Sequence, residues 1–121
     1  MKKLIFISTM FLISVSANSQ IMDCSQKGSL VNCIDENQNN AGSFILKNGE
    51  EFVGFCSSAV AISDNEHNSV RLFKGNGEFL SMISWHEGGY FKNITGTSVS
   101  IYSPGQGTLI YDLKGNYKGS N

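Results

Sequence analysis

The sequence predicts an all-β protein: a single small antiparallel meander of about seven or eight strands behind an N-terminal signal peptide. No window spaces its apolar residues at i, i+3, i+4 and i+7 over three turns, as a helix would. Short strand-like segments instead alternate with Gly- and Asn-containing turn sequences, and all 13 glycines follow residue 17. Such spacing is typical of a β-sandwich or a small closed barrel, and the alternation does not distinguish between them.

Residues 1–17 have the layout of a secretory signal peptide. Lys2 and Lys3 form a basic start, Leu4–Val15 is an uncharged run, and small residues end it at Ala17, where we expect cleavage. The run is too short and too interrupted by hydroxyl residues to anchor the chain in a membrane. We therefore expect an exported protein without a membrane span, periplasmic or secreted, and the compact basic start favours a bacterial source.

The expected mature chain has 104 residues, which fits a single domain with a modest core. Cleavage removes two of the nine basic residues and none of the ten acidic ones, so the mature net charge is −3. A nucleic-acid or anionic-membrane binder needs a basic surface. The charge balance argues against both classes.

Residues 18–42 are predicted to form a polar, irregular segment held by a disulfide, with at most a short helix around Cys24 to Cys33. In an oxidising compartment one disulfide is expected among the three cysteines. We favour Cys24 with Cys33, and the alternatives join either of them to Cys56. The third sulfur is reactive or buried; the apolar strand around Cys56 favours a buried, inert thiol.

The β domain is predicted over residues 43–121 and begins with a hairpin. Strands 43–47 and 50–56 flank Asn48-Gly49, which supplies the two positive φ values of a type I′ turn. In that register Ile45 lies opposite Phe52. Lys47 and Glu50 then form an opposite-charge pair beside the turn.

Two later hairpins share the pattern aromatic-x-x-x-Gly-x-aromatic, 38 residues apart. The pattern places Phe73 opposite Phe79 and, near the end of the chain, Tyr111 opposite Tyr117. In the first of these registers Leu72 also lies opposite Leu80. The recurrence is typical of repeated β units such as propeller blades. Hairpin chemistry explains it more simply, since there is room for only about two blades of 40 residues.

One more strand pair is predicted at residues 97–103 and 108–113. Pro104 and Gly105 suit the middle of the type II turn between them. Val99 and Ile101 alternate with polar residues, so one face of this pair should be buried and the other wet.

Catalytic and metal-binding patterns are weak in this chain. His67 and His86 are 19 residues apart and belong to no compact ligand spacing, so no metal or cofactor is expected. Nucleophile-elbow, phosphate-loop and paired-carboxylate motifs are missing from the sequence. An enzyme is therefore the third of three functional hypotheses.

The densest group of recognition-type residues is 84–91, and we select Trp85, His86, Tyr90 and Phe91 as candidate binding residues. The alternation of Phe79, Ile83 and Trp85 favours a core position for the tryptophan. Tyr90, nearer the turn at Gly88-Gly89, is the better candidate for exposure.

These observations lead to three hypotheses for function. The first is an exported binding domain for a protein partner, of the inhibitor, immunity or accessory-factor type. The second is a carrier that holds a small ligand in an apolar barrel cavity. The third is an enzyme whose site the sequence does not reveal.

Overall fold

The computed structural model describes residues 20–120, which form eleven β-strands in three antiparallel sheets. The predicted all-β class is confirmed, but the sheets do not close into a barrel. The strand number was underestimated, mainly because residues 18–42 were assigned no strand. The predicted signal peptide lies outside the described residues. Nowhere between residues 20 and 120 is there a helix long and apolar enough to cross a membrane.

Each sheet is a meander whose strands follow one another in the chain. The first sheet contains β1 (Ile21–Lys27), β2 (Leu30–Asp35) and β3 (Asn40–Ile45). The second contains β4 (Glu50–Cys56), β5 (Ala59–Asp64), β6 (Ser69–Phe73) and β7 (Phe79–Ser84). The third contains β8 (Tyr90–Ile94), β9 (Ser98–Ser103), β10 (Gly107–Asp112) and β11 (Tyr117–Ser120).

The prediction of an irregular segment over residues 18–42 was wrong for the described residues, although the disulfide expected there forms. This segment forms β1, β2 and the start of β3. Along β2 the residues Val31, Cys33 and Asp35 are buried in strict alternation with exposed neighbours. The buried Asp35 carboxylate accepts the backbone N–H groups of Asn37 and Asn39, both at 2.9 Å. The polar run therefore forms a tight turn.

The predicted pairing of strands 43–47 and 50–56 was also wrong. A turn forms at Asn48-Gly49, but it is not the predicted type I′ turn, because Gly49 has a positive φ of 86° and Asn48 does not. The Glu50 N–H donates to the Lys47 carbonyl across that turn at 3.0 Å. Yet Ile45 lies opposite Leu30, and Phe52 lies opposite Ile62. The strands before and after the turn each have another partner, so the turn links two sheets.

The other predicted strand pairs form. Phe73 lies opposite Phe79, and Tyr111 lies opposite Tyr117. β9 also pairs with β10, and Val99 and Ile101 are buried as expected.

One register inside the second hairpin differs from the prediction. Leu72 lies opposite Ser81 rather than Leu80, because the register shifts at a bulge next to Phe73. The shift turns Phe79 away from the face of Ile83, so Phe79 is exposed and Ile83 is buried.

Two apolar layers hold the three sheets face to face. The layer between the first and second sheets contains the buried residues Ile21, Val31, Cys33, Val60 and Ile62. The layer between the second and third contains the buried residues Ala61, Val70, Leu72, Ile83, Val99 and Ile101. Each fully buried Val, Leu or Ile side chain stabilises the fold by about 1.5–3 kcal/mol relative to exposure. Burial of these side chains therefore stabilises a stack in which the second sheet lies between the first and the third.

The cysteines adopt the favoured arrangement. Cys24 and Cys33 are directly opposite each other on β1 and β2 and form a disulfide. Cys56, at the end of β4, is a buried free thiol. Its Sγ lies 3.9 Å from the Ser58 hydroxyl.

Candidate functional site

A cleft of about 380 Å³ opens between the second and third sheets, where β7 ends. Side chains from both sheets line it. Those with aromatic rings or hydrogen-bonding groups are Ser84, Trp85, His86, Ser103, Gln106, Tyr111 and Tyr117. The cleft therefore combines apolar contact area with polar groups that can orient a ligand.

Trp85 occupies the centre of this region. Its backbone N–H donates to the Asn68 carbonyl at 2.9 Å, which fixes the chain directly after β7. Its side chain is partly buried and packs against the core between the second and third sheets, in agreement with the predicted core position. Trp85 also lines a smaller cleft of about 220 Å³, so it separates two adjoining clefts.

His86 lines the larger cleft and begins the turn into β8. The Gly89 N–H donates to the His86 carbonyl at 2.9 Å and closes this turn. A Cβ atom at Gly89 would lie 2.7 Å from the Tyr102 carbonyl oxygen, too close for any other residue without rearrangement. Because this turn packs closely on β9, it holds the His86 backbone in a defined position beside the cleft.

The opposite wall is contributed by the third sheet. The rings of Tyr111 and Tyr117 meet edge to face with centroids 5.7 Å apart, and Tyr117 is 57% exposed. At the turn after β9, the Ser103 hydroxyl donates to the Gln106 side-chain carbonyl at 2.9 Å. That contact orients the Gln106 amide and leaves its NH₂ group as a donor.

The four predicted binding residues are not all brought together. Tyr90 and Phe91 line the smaller cleft with Trp85, and His86 lines only the larger one. Phe91 is partly buried and packs against the core. Tyr90 is exposed as expected, and its ring stacks on Tyr102 with centroids 5.0 Å apart.

Sequence reasoning missed the third-sheet side of the cleft. The repeated aromatic-glycine pattern predicted that Tyr111 and Tyr117 face each other. It gave no information on how that hairpin sits against Trp85, because sheet-to-sheet packing joins residues far apart in the chain. The contribution of Ser103 and Gln106 had no sequence signal beyond their position at a turn.

A third cleft, of about 360 Å³, lies between the first and second sheets. Its lining includes Phe73, Lys47 and the ion pair between Arg71 and Glu50. Its polar groups are thus charged and already paired in part, whereas those beside Trp85 are mostly uncharged.

His67 lies in the exposed turn between β5 and β6. Its Nδ1 is 2.8 Å from the Asp64 carboxylate, and this hydrogen bond raises the pKa of His67 above its ordinary value. The same hydrogen bond lowers the pKa of Asp64. Over residues 20–120, no hydrogen bond joins either histidine to a serine or cysteine, and no cluster of three His, Cys, Asp or Glu residues could hold a metal ion.

Comparisons with known proteins add a likeness in fold. No family model matches the chain, and no curated protein matches its sequence. A solved structure of a protein of unknown function from Bacteroides caccae superposes with a TM-score of 0.52 at 13% identity. The match covers 83% of this chain and 38% of that one, so this chain spans less than half the length of its structural neighbour.

Proposed function

We propose that this protein is an exported, non-catalytic binding domain that recognises a protein partner through the cleft beside Trp85. The observation that carries the proposal is an open cleft that joins one tryptophan and two tyrosines to uncharged hydrogen-bonding side chains. Trp and Tyr supply large contact area with few rotatable bonds, and both are enriched where binding energy is concentrated.

The shape of the cleft suits an inserted side chain of a partner. Its volume of about 380 Å³ is at the lower end of ligand sites, and the cleft is partly open to solvent. Tyr117 stands at its rim and is more than half exposed. A partner residue that enters between His86 and Tyr117 would be enclosed on both sides while its backbone stays outside.

Export is part of the proposal and is supported by residues 1–17 and by the cysteines. A disulfide between Cys24 and Cys33 is compatible with an oxidising compartment, since cytosolic thiols are normally kept reduced. The partner would then be a periplasmic or extracellular protein.

A small-ligand carrier is the second candidate, because the cleft volume also fits a compact organic molecule. The sheets do not close into a barrel, so such a ligand would remain partly exposed. Native mass spectrometry of protein purified from its own source separates the two functions. A carrier retains a small molecule, whereas the proposed binder retains a polypeptide.

Partner capture tests the proposal. Immobilised protein is exposed to the envelope and secreted fractions of its native source, and captured polypeptides are quantified by mass spectrometry. We expect Tyr117→Ala to weaken capture of the specific partner by at least about tenfold, because alanine removes an aromatic wall of the cleft.

Phe79→Ala is the matched control for Tyr117→Ala. Phe79 is 55% exposed and meets Phe73 edge to face, much as Tyr117 meets Tyr111, but it lies on the second sheet outside the cleft lining. This control should capture normally. Equal capture by wild type and Tyr117→Ala would refute the cleft as the binding site.

A further inference from the structure

The same turn occurs three times in the structure. It joins β2 to β3, β6 to β7 and β10 to β11, and its first residues are Asp35, Lys74 and Asp112. In each turn the N–H of the first residue donates to the carbonyl of the fifth, at 2.7–2.9 Å. The N–H of the fourth residue donates back to the first, at 2.9–3.0 Å. The first residues are 39 and 38 positions apart, which defines a repeat period.

The backbone at the fourth position of each turn supports this repeat. Gln38, Gly77 and Gly115 all have positive φ, at 65°, 96° and 87°. Glycine adopts this conformation freely, whereas glutamine does so at a cost. The first turn thus has the same backbone geometry with Gln38 in place of glycine. The aromatic-x-x-x-Gly-x-aromatic pattern therefore detects only the second and third turns.

The packing between sheets repeats with the same period. Toward the first sheet, the second presents Phe52, Phe55, Val60, Ile62 and Phe73. Toward the second, the third presents Phe91, Ile94, Val99, Ile101 and Tyr111. Each residue of the latter set follows its counterpart by 38 or 39 positions. The second and third sheets are therefore two units of one internal repeat, and the first sheet shares its turn and its period. Hairpin chemistry alone does not explain this relation.

Each sheet has a rear face, directed toward the preceding sheet, and a front face, directed toward the following one. The rear face of the first sheet and the front face of the third belong to neither of the two apolar layers. The front faces of the first two sheets include Cys33 and its counterpart Leu72, both completely buried. The counterpart of Leu72 in the third sheet is Ile110, which is only partly buried. Ile110 lies on the same face of the third sheet as Tyr90 and Tyr102. Tyr90 is directly opposite Tyr102, and Ile110 is directly opposite Ser100. Ser100 is two residues before Tyr102 on β9, so both point to the same face.

At the opposite end of the three stacked sheets is the rear face of the first sheet. Ile34 stands there at the position of Phe73 and Tyr111, which pack against the core in the second and third sheets. Leu30 and Ile45 lie on the same face, and Ile45 is 75% exposed. Leu30 and Ile34 are 38% and 36% exposed, and none of these three aliphatic side chains belongs to either of the two apolar layers between described sheets.

We propose that a second copy of this chain covers these ends, with the front face of one third sheet against the rear face of another first sheet. Such a contact would continue the unit-to-unit packing that already occurs twice inside the chain. Repeat units of this kind bury their apolar faces by stacking on neighbours. The contact is heterologous, so it produces a ring if the rotation closes and a filament if it does not.

Light scattering of the purified exported chain over a dilution series gives the first test. We expect a mass of at least two chains at high concentration, which decreases toward one chain on dilution. A single-chain mass throughout, including at the highest concentration, would overturn the proposal. This measurement needs no substitution and so does not depend on how a variant folds.

Cysteine cross-linking tests the orientation. Ile34→Cys and Ile110→Cys are prepared separately, with Tyr102→Cys as a second front-face variant, and are treated with a short thiol cross-linker alone and after mixing. The native cysteines should not interfere, since two form a disulfide and Cys56 is buried. We expect dimers mainly in the mixtures of a front-face with a rear-face variant.

The control is Met82→Cys, an exposed position on the second sheet. Mixed with Ile110→Cys it should give no dimer. Efficient cross-linking of Ile34→Cys alone would indicate a symmetric contact and refute the head-to-tail arrangement. Tyr117→Ala, which removes one aromatic wall of the cleft beside Trp85, should keep the same association. Loss of partner capture and loss of self-association are therefore distinguishable.

Discussion

At the residue scale, the pair formed by His67 and Asp64 has a defined pH dependence. The hydrogen bond between them raises the pKa of His67 above 6.5 and lowers the pKa of Asp64 below 3.8. The contribution of His67 to stability is present below pH 6.5 and is lost as the pH rises through its folded-state pKa. That of Asp64 is present above pH 3.8 and is lost as the pH falls through its own.

An NMR titration of the His67 ring checks this assignment. In the wild-type protein we expect an apparent pKa above 6.5, and Asp64→Asn should return it close to that value, because the asparagine amide carries no charge. Glu66→Gln is the control and should lower the pKa less, since Glu66 contributes the weakest of the causes that raise it. An unchanged His67 pKa in Asp64→Asn would show that the pair does not form in solution.

At the element scale, β3 crosses very close to the turn between β6 and β7. A Cβ atom placed on Gly42 would collide with the Gly75 carbonyl, so two backbones touch where the first sheet meets the second. The neighbouring Ile21 packs against Gly75 on the same side. Position 42 must be glycine because the Gly75 backbone leaves no room for a side chain there. The Gly75 backbone is brought so close by the packing of the second sheet on the first.

Gly42→Ala should therefore lower the free energy of unfolding by about 1–3 kcal/mol or more, because neither backbone can withdraw without disturbing its sheet. Urea denaturation measures the change. Gly96→Ala is the matched control, since a Cβ there meets nothing within 4 Å. It should leave stability unchanged or raise it by about 0.4–1 kcal/mol through the unfolded state. Equal stability of the two variants would contradict the close crossing.

Individual elements also explain how far the sequence could predict the fold. The pairing of Tyr111 with Tyr117 and the buried face of β9 follow from turn chemistry and alternation, which act over neighbouring residues. A turn at Asn48-Gly49 was predicted correctly, but not its type I′ geometry, since only Gly49 has a positive φ. Its strands pair elsewhere, because the competing partner β2 is a strand that was assigned to an irregular segment.

The first sheet was missed because its buried positions are chemically unusual. Cys33 and Asp35 occupy the inward positions of β2 where most strands have aliphatic residues. Cys33 is accommodated by the disulfide, and Asp35 by the backbone N–H groups it accepts. A pattern based on hydrophobicity alone does not recognise such a strand.

At the scale of the whole molecule, the candidate site is a product of sheet stacking. Trp85 and His86 follow the second sheet, while Tyr111 and Tyr117 belong to the third. The sequence identified the first two as candidate binding residues and could not place the others beside them. The larger cleft beside Trp85, which we propose binds a partner, shares no lining residue with the proposed self-association faces.

Binding of a protein partner in the cleft beside Trp85 is tested most directly by fluorescence. Trp85 is the only tryptophan of the chain, so its fluorescence reports on this cleft directly. Titration with the purified captured partner, made without tryptophan, should shift the Trp85 emission to saturation in wild type and Phe79→Ala, and should do so much more weakly in Tyr117→Ala. Calorimetric binding that leaves Trp85 emission unchanged and is insensitive to Tyr117→Ala would show that the partner binds elsewhere.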